Sequence, residues 1–269
     1  VQKLEDVGVD AFHVSAGEYD SMYMVIPPYD IPHGVNLRLS EEIKKVVDVP
    51  VIVAGKIDPK LAEEAIKTKK ADLVAIGRPL FADPELPKKV FEGRLEDIRP
   101  CIYCNEECVG RLFRGLPSSC AVNYELGYET KRKIKPAEKT KDVLVIGGGP
   151  AGMEAARVAA LRGHRVTLHE KNDKLGGQLI YSSIPWFKED FRSLITWFGV
   201  QLDKLGVKVE LGKECTPSLV EKLKPDVVIV ATGAKPLIPE ILGVELKNVA
   251  KAIDVLSGRK AGQRIVTAG

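Results

Sequence analysis

Four cysteines, Cys101, Cys104, Cys108 and Cys120, form a C-x2-C-x3-C-x11-C box. Thiolates bind soft and borderline metals, and four of them suit either a tetrahedral zinc or an iron–sulfur cluster. Zinc knuckles pair their C-x2-C units. Here three ligands crowd one loop and the fourth stands apart. Directly downstream, the apolar run Asp142-Val143-Leu144-Val145-Ile146 leads into Gly147-Gly148-Gly149-Pro150-Ala151-Gly152. Gly147 permits a tight turn, Gly149 lets backbone approach a pyrophosphate, and Gly152 allows a helix to pack closely on a strand. The helix start offers free N–H groups to phosphates. Glu170 ends the next apolar run, where a carboxylate can accept from ribose hydroxyls. A thiolate box followed at once by a dinucleotide fingerprint points to electron transfer between a cluster and a flavin, and beside a flavin a [4Fe–4S] cluster is favoured over zinc.

A second pair of glycines sits at strand ends nearer the N-terminus, in Ala54-Gly55-Lys56 and Gly77-Arg78. In (β/α)8 barrels the loops after the last two strands commonly bind phosphate. Backbone N–H groups of Gly55, Lys56, Gly77 and Arg78 could cradle one, with Arg78 adding a bidentate charge contact. The alternative is that both glycines merely turn the chain and Arg78 makes a surface ion pair.

The elements that must position these residues follow from the hydrophobic pattern. Residues 11–15, 50–53 and 72–76 read as strands. Residues 39–47 read as a helix with Leu39, Ile43, Val46 and Val47 on one face, and residues 59–69 as another, with Leu61, Ala62, Ala65 and Ile66 facing inward. Continuous apolar strands separated by helices imply a parallel sheet. Three βα units cannot close a barrel and are expected to be the last three of eight. Residues 101–140 show little periodicity; their Lys-rich end, 131–141, reads as a solvated linker. Alternation resumes with strands at 142–146, 165–169, 207–210 and 227–230 and helices at 151–162 and 188–204. The fold class is therefore α/β: the C-terminal part of a (β/α)8 TIM barrel (1–100), a Cys-rich cluster segment and linker (101–140), and a Rossmann-like, incomplete FAD/NAD(P) domain (141–269).

Composition adds limits. With 269 residues there is room for about two domains. A net charge of +3 is too small to imply nucleic acid. No apolar run reaches the roughly 18 residues of a membrane span, and no signal peptide is evident. Clustered cysteines fit metal binding in a reducing compartment, hence a cytoplasmic location. The chain opens inside a helical pattern and is expected to be a fragment. Residues 264–269 read as the first strand of a further NAD(P)H-binding unit. His13 reads as a core residue, His33 as a loop residue, and Cys215 as a small core or loop residue rather than a ligand.

Glu170 through Gln178 matches E-x5-G-G-Q, and Ala231-Thr232-Gly233 matches A-T-G. Both resemble segments of FAD-binding disulfide-reductase-like flavoproteins. The whole order of half-barrel, cysteine box and glycine fingerprint resembles one flavoprotein family. Its members include 2,4-dienoyl-CoA reductase, trimethylamine dehydrogenase, enoate reductase and the bile-acid NADH:flavin oxidoreductases, with a barrel like that of old yellow enzyme. The resemblance implies FMN in the barrel, a [4Fe–4S] cluster at the four cysteines and FAD in the following domain. Electrons would run from NAD(P)H through FAD and the cluster to FMN, then as hydride to an activated C=C bond of a small-molecule unsaturated substrate. FMN phosphate would meet Gly55, Lys56, Gly77 and Arg78. FAD would meet Gly147, Gly149, Ala151, Gly152, Glu170, Gln178 and Lys188, the backbone near Cys215, and Gly233. Dienoyl-CoA reductases carry a His shortly after the position of Ser15-Ala16-Gly17, and this chain does not. Tyr19 or Tyr23 would then be the proton donor, against the alternative of tyrosines packed on the barrel rim. Other readings are an amine dehydrogenase of the trimethylamine dehydrogenase type and a non-catalytic electron-transfer module. A homo-oligomer fits any of them.

Overall fold

The computed structural model describes residues 1–267. The chain divides into two compact units, Val1–Lys135 and Pro136–Gly269.

In the first unit, β-branched residues set a three-stranded parallel sheet in the order β1 (Phe12–Val14), β2 (Val51–Ala54), β3 (Leu73–Ala75). Phe12 pairs with Val51 and Ile52 with Leu73. Helix α1 (Leu37–Lys44) connects β1 to β2, and α2 (Pro59–Lys67) connects β2 to β3. Asp58 caps α2: its Oδ1 accepts from Leu61 N at 2.9 Å, with Pro59 preset at the first helical position. Val14, Val47 and Val51 form one buried cluster, and Val53, Ile57 and Ala71 another. After β3 come α3 (Arg78–Ala82) and α4 (Leu86–Phe91).

Several expected core positions lie outside this core. A sheet of three strands covers only part of two helix faces, so Leu39, Val46 and Ile66 are exposed while Ile43, Leu61 and Ala62 pack inward. Val46 also lies beyond the end of α1. His13 is exposed, because the alternation along β1 sends Val14 inward instead. His33 lies in a turn, as expected.

Residues 101–135 contain no strand, only the one-turn helices Val109–Leu112 and Glu129–Arg132. The lead-in to Cys101 is held by Asp83, which is 4% exposed. Its carboxylate accepts from Lys89 Nζ at 2.6 Å and Arg99 N at 2.8 Å, and Lys89 Nζ also donates to the Asp97 carbonyl. A buried charge pair of this kind persists because its hydrogen bonds are satisfied.

The second unit is a four-stranded parallel sheet in the order β6-β5-β4-β7. The strands are β4 (Asp142–Ile146), β5 (Arg165–His169), β6 (Lys208–Glu210) and β7 (Val227–Val230). Helix α5 (Pro150–Leu161) follows β4, α6 (Glu189–Lys204) precedes β6, and α7 (Pro217–Leu223) precedes β7. Leu144, Val145, Leu168, Met153 and Ala156 are buried, together with Trp197, Phe198 and Leu202 of α6. This is a doubly wound arrangement with its first strand in the middle, which places the β4–α5 turn at the sheet's carboxyl edge. The expected strand at the end of the chain is corrected: residues 264–267 lie in no strand, and Ala268 and Gly269 fall outside the described residues. The last regular element is the short helix Ala252–Leu256. Among the described residues no helix is long and apolar enough to cross a membrane.

Candidate functional site

The glycine fingerprint is drawn into a ring of three segments that are far apart in sequence. Gly147 has φ +112°, and an added Cβ would sit 2.3 Å from the Ala231 carbonyl oxygen. A Cβ on Gly152 would sit 1.8 Å from the Gly147 carbonyl oxygen. Both glycines are therefore imposed by packing. Gly149 differs, since the nearest atom to its added Cβ is Gly177 Cα at 4.0 Å. Its turn is left open, as a backbone that must admit a ligand requires. Ala151 is the exposed second residue of α5.

Glu170 is buried and accepts three hydrogen bonds. Gly148 N donates to Oε2 at 2.6 Å, and Asn172 N and Nδ2 donate to Oε1 at 2.8 and 2.6 Å. The carboxylate thus braces the glycine loop, and only its remaining lone pairs can meet a ribose. Gly176 N donates to the Gly148 carbonyl at 2.8 Å, and Gln178 Nε2 to the Ala234 carbonyl at 2.7 Å. The E-x5-G-G-Q and A-T-G segments therefore both close onto the β4–α5 turn. Gly233 has φ +72° with open space at its Cβ position. Cys215 is a half-buried residue of the loop after β6, as expected for a residue outside the box; burial pushes its thiol pKa up. Lys188 ends a 3-10 turn, and its Nζ lies 5.7 Å from the Phe191 ring centroid.

In the first unit all four box cysteines are free, half-buried and line one cavity with Arg78 and Tyr103. Burial pushes the Cys101 thiol up to about 12, while the Tyr103 N–H and the Arg78 guanidinium pull the other way. Burial also raises Cys104 and Cys120, opposed by N–H groups from Glu106 and from Val122 and Asn123. Tyr103 N reaches Cys101 Sγ at 3.4 Å. Tyr103 and Asn105 are both left-handed, with φ +47° and +58°. Such turns point successive amides inward, forming a concavity suited to anionic sulfur. Among the described residues no three His, Cys, Asp or Glu side chains converge tightly enough for one ion. Four thiols around one cavity, with amides aimed at three of them, fit a thiolate-ligated group such as an iron–sulfur cluster.

The strand-end glycines divide. A Cβ on Gly55 (φ +126°) would come within 2.6 Å of Asn36 Nδ2, which itself donates to the Ala54 carbonyl. Gly77 meets nothing within 4 Å. Lys56 is 5% exposed, and its Nζ donates to the carbonyls of Tyr29, Ile31 and Pro28 at 2.9, 2.8 and 3.3 Å. Its side chain clamps the preceding loop, so any phosphate contact must come from its backbone. Arg78 makes no surface ion pair: Nη1 donates to the Pro27 carbonyl at 2.7 Å and to Asn105 Oδ1 at 2.6 Å. Nε and Nη2 are the atoms that could meet an anion. Tyr19, at 94% exposed, and Tyr23, at 56%, lie in the short helical turns after β1. Sequence reasoning missed Tyr103, Asn105 and Asn172; each works through backbone turns or cross-loop contacts that leave no periodic signal.

Residues 20–97 match the model of the NADH:flavin oxidoreductase / NADH oxidase family, and residues 141–266 match that of pyridine nucleotide-disulphide oxidoreductases. A cinnamate reductase of Clostridium sporogenes is 45% identical over 264 residues, covering 97% of this chain and 39% of that protein. An NADH oxidase of Thermoanaerobacter brockii is 46% identical over 261 residues, covering 95% and 40%. A solved structure of 2-naphthoyl-CoA reductase with 2-naphthoyl-CoA superposes with a TM-score of 0.90 at 38% identity, covering 96% of this chain and 40% of that one. The chain spans about two fifths of the length of these curated relatives. With matching models in both units and relatives aligned along nearly all of it, the chain belongs to the NADH:flavin oxidoreductase / NADH oxidase family, in the form that carries a pyridine nucleotide-disulphide oxidoreductase domain downstream.

Proposed function

We propose that this chain provides the cluster, the FAD cradle and the flavin-phosphate end of an NAD(P)H-dependent reductase that saturates an activated C=C bond of a small molecule. The observation that carries this reading is the cavity lined by four free thiols with backbone amides turned toward them. When bound, a [4Fe–4S] cluster would supply one-electron steps between two flavins, FAD and FMN, that each take two electrons from or give two to their partners.

The protein's own part is to hold and orient. Cys101, Cys104, Cys108 and Cys120 would give up their protons on metal binding, since the ligand is the thiolate. Gly147, Gly149, Ala151 and Gly152 would present backbone to a pyrophosphate, with Glu170 bracing the loop and meeting the ribose. Gln178, Lys188, the Cys215 backbone and Gly233 would line the rest of the FAD. The backbone of Gly55, Lys56 and Gly77, with Arg78, would meet the FMN phosphate. Tyr19 or Tyr23 would hold the proton at its phenol Oη, where exposure lets water restore it. In this reading a flavin-barrel part runs to residue 100, the cluster segment and linker to 140, and the FAD part onward from 141. A cytoplasmic setting suits unoxidised thiols, and a homo-oligomer is part of the proposal.

The test is metal and turnover analysis of the full protein purified without oxygen. About four irons per chain and no stoichiometric zinc are expected, with NAD(P)H oxidation that requires an unsaturated carboxylate or thioester. One zinc per chain without acid-labile sulfide would sink the cluster reading. Flavin reduction driven by an amine, with no response to NAD(P)H, would replace the reductase with the dehydrogenase alternative.

A further inference from the structure

Tyr103 stands between the first two cysteines of the box, yet its ring belongs to the strand-end loops. The residue is 3% exposed. Lys56 Nζ lies 4.9 Å from its ring centroid and Arg78 Cζ lies 5.0 Å from it. The His33 ring meets it edge-on at 5.1 Å. Lys56 follows β2 and Arg78 follows β3, so one aromatic side chain from the cysteine loop gathers both carboxyl-edge loops of the sheet. Two cations on one desolvated ring is a specific arrangement, since the π face attracts each of them. The backbone supports this placement at a cost: Tyr103 holds φ +47°, a region that disfavours a bulky side chain. Asn105 makes a second tie. Its Oδ1 accepts from Arg78 Nη1, and its Nδ2 donates to the Ile26 carbonyl at 3.1 Å.

We propose that Tyr103 is a positioning residue that couples the cysteine loop to the phosphate-facing loops, so that occupancy of the cluster site and of the flavin-phosphate site stabilise each other. The inference rests on the assignment of those two sites above. Any ligand that orders Arg78 and the Lys56 loop also orders the ring packed against them, and the ring is one residue from Cys104 and two from Cys101. Coupling between two sites is reciprocal: whatever factor FMN contributes to cluster retention, the cluster contributes to FMN retention.

The experiment measures the rate at which an iron chelator strips the cluster from the holoprotein, with FMN present and after FMN removal, and the FMN dissociation constant with and without the cluster. In the unaltered protein FMN should slow cluster loss at least about fivefold, the lower end of usual coupling, and the cluster should lower the FMN dissociation constant. Tyr103→Phe keeps the ring and should keep the ratio. Tyr103→Gly relieves the backbone strain while deleting the ring, so it should fold and bind iron with the ratio reduced to near one. Tyr103→Leu tests the same loss with bulk retained. A ratio near one in the unaltered protein, or an undiminished ratio in both Tyr103→Gly and Tyr103→Leu, overturns the proposal. Unaltered protein lacking iron or FMN altogether overturns the parent assignment instead, and this coupling with it.

Discussion

The glycine turns at strand ends, one in the second unit and two in the first, look alike as motifs and are built on different principles. At the β4–α5 turn the geometry is steric and local to the backbone. Gly147 and Gly152 stand where any Cβ would strike a carbonyl oxygen, and Glu170 ties down the amide of Gly148 between them. At the β2 and β3 ends the geometry comes from side chains. Lys56 and Arg78 reach inward to five acceptors, four of them backbone carbonyls, and Gly77 has open space where a Cβ would go. The first kind of site is dictated by what cannot be added. The second depends on which long side chains are held, and by what.

Gly152→Ala should produce the largest effect and would break the contrast if it did not. The added methyl meets a backbone oxygen at 1.8 Å, which no flexible side chain can relieve. Overpacking costs typically about 1–3 kcal/mol and occasionally more, a backbone clash this close belongs at the top of that range, and the shift would open the β4–α5 turn. Chemical denaturation should show a destabilised second unit, and flavin analysis should show FAD lost with iron retained. A variant with unaltered stability and full FAD would mean that the turn is set by something other than its own backbone.

The same contrast decides what was legible beforehand. Strands at 142–146, 165–169 and 227–230 have the expected bounds. In the first unit β1 and β3 are each two residues shorter than expected, one at each end, while β2 keeps its four residues shifted by one to 51–54. The cysteine spacing picked out the four thiols that line one cavity, but not the rest of its lining. The directions of Lys56, Arg78 and Tyr103 were not readable, since each is fixed by partners more than twenty residues away in irregular segments with no period. Glu170 was readable as to place and only partly as to role: its bracing of the glycine loop depends on Asn172, an unremarkable residue in the sequence.

Glu170→Gln tests that bracing role and should rank second. The amide keeps one acceptor but turns an NH2 toward either Gly148 N or the Asn172 donors, leaving a buried N–H facing another donor. Leaving a buried group unsatisfied costs about 1–3 kcal/mol, equivalent to roughly a ten- to hundredfold weaker FAD. FMN should be unaffected. Flavins released by heat and separated by chromatography give the answer; equal loss of both, or of neither, would remove the carboxylate from the cradle.

The smallest effect belongs to Gly77→Ala, and it sharpens the contrast within the first unit. Gly77 has φ −107° and ψ −86°, so alanine meets no left-handed strain there, and its methyl would touch nothing within 4 Å. Stability without flavin should stay within about 0.5 kcal/mol of the unaltered protein. Gly55→Ala is the control, because φ +126° and the close Asn36 amide make a methyl there both strained and crowded. If the open space at Gly77 is where a phosphate approaches backbone, Gly77→Ala should keep its melting temperature and hold FMN several-fold more weakly. This separation of binding from stability is the outcome we expect. An unchanged FMN affinity would place the anion against Gly55, Lys56 and the Nε–Nη2 edge of Arg78 alone. Gly77 would then be a helix-start glycine that any small residue could replace.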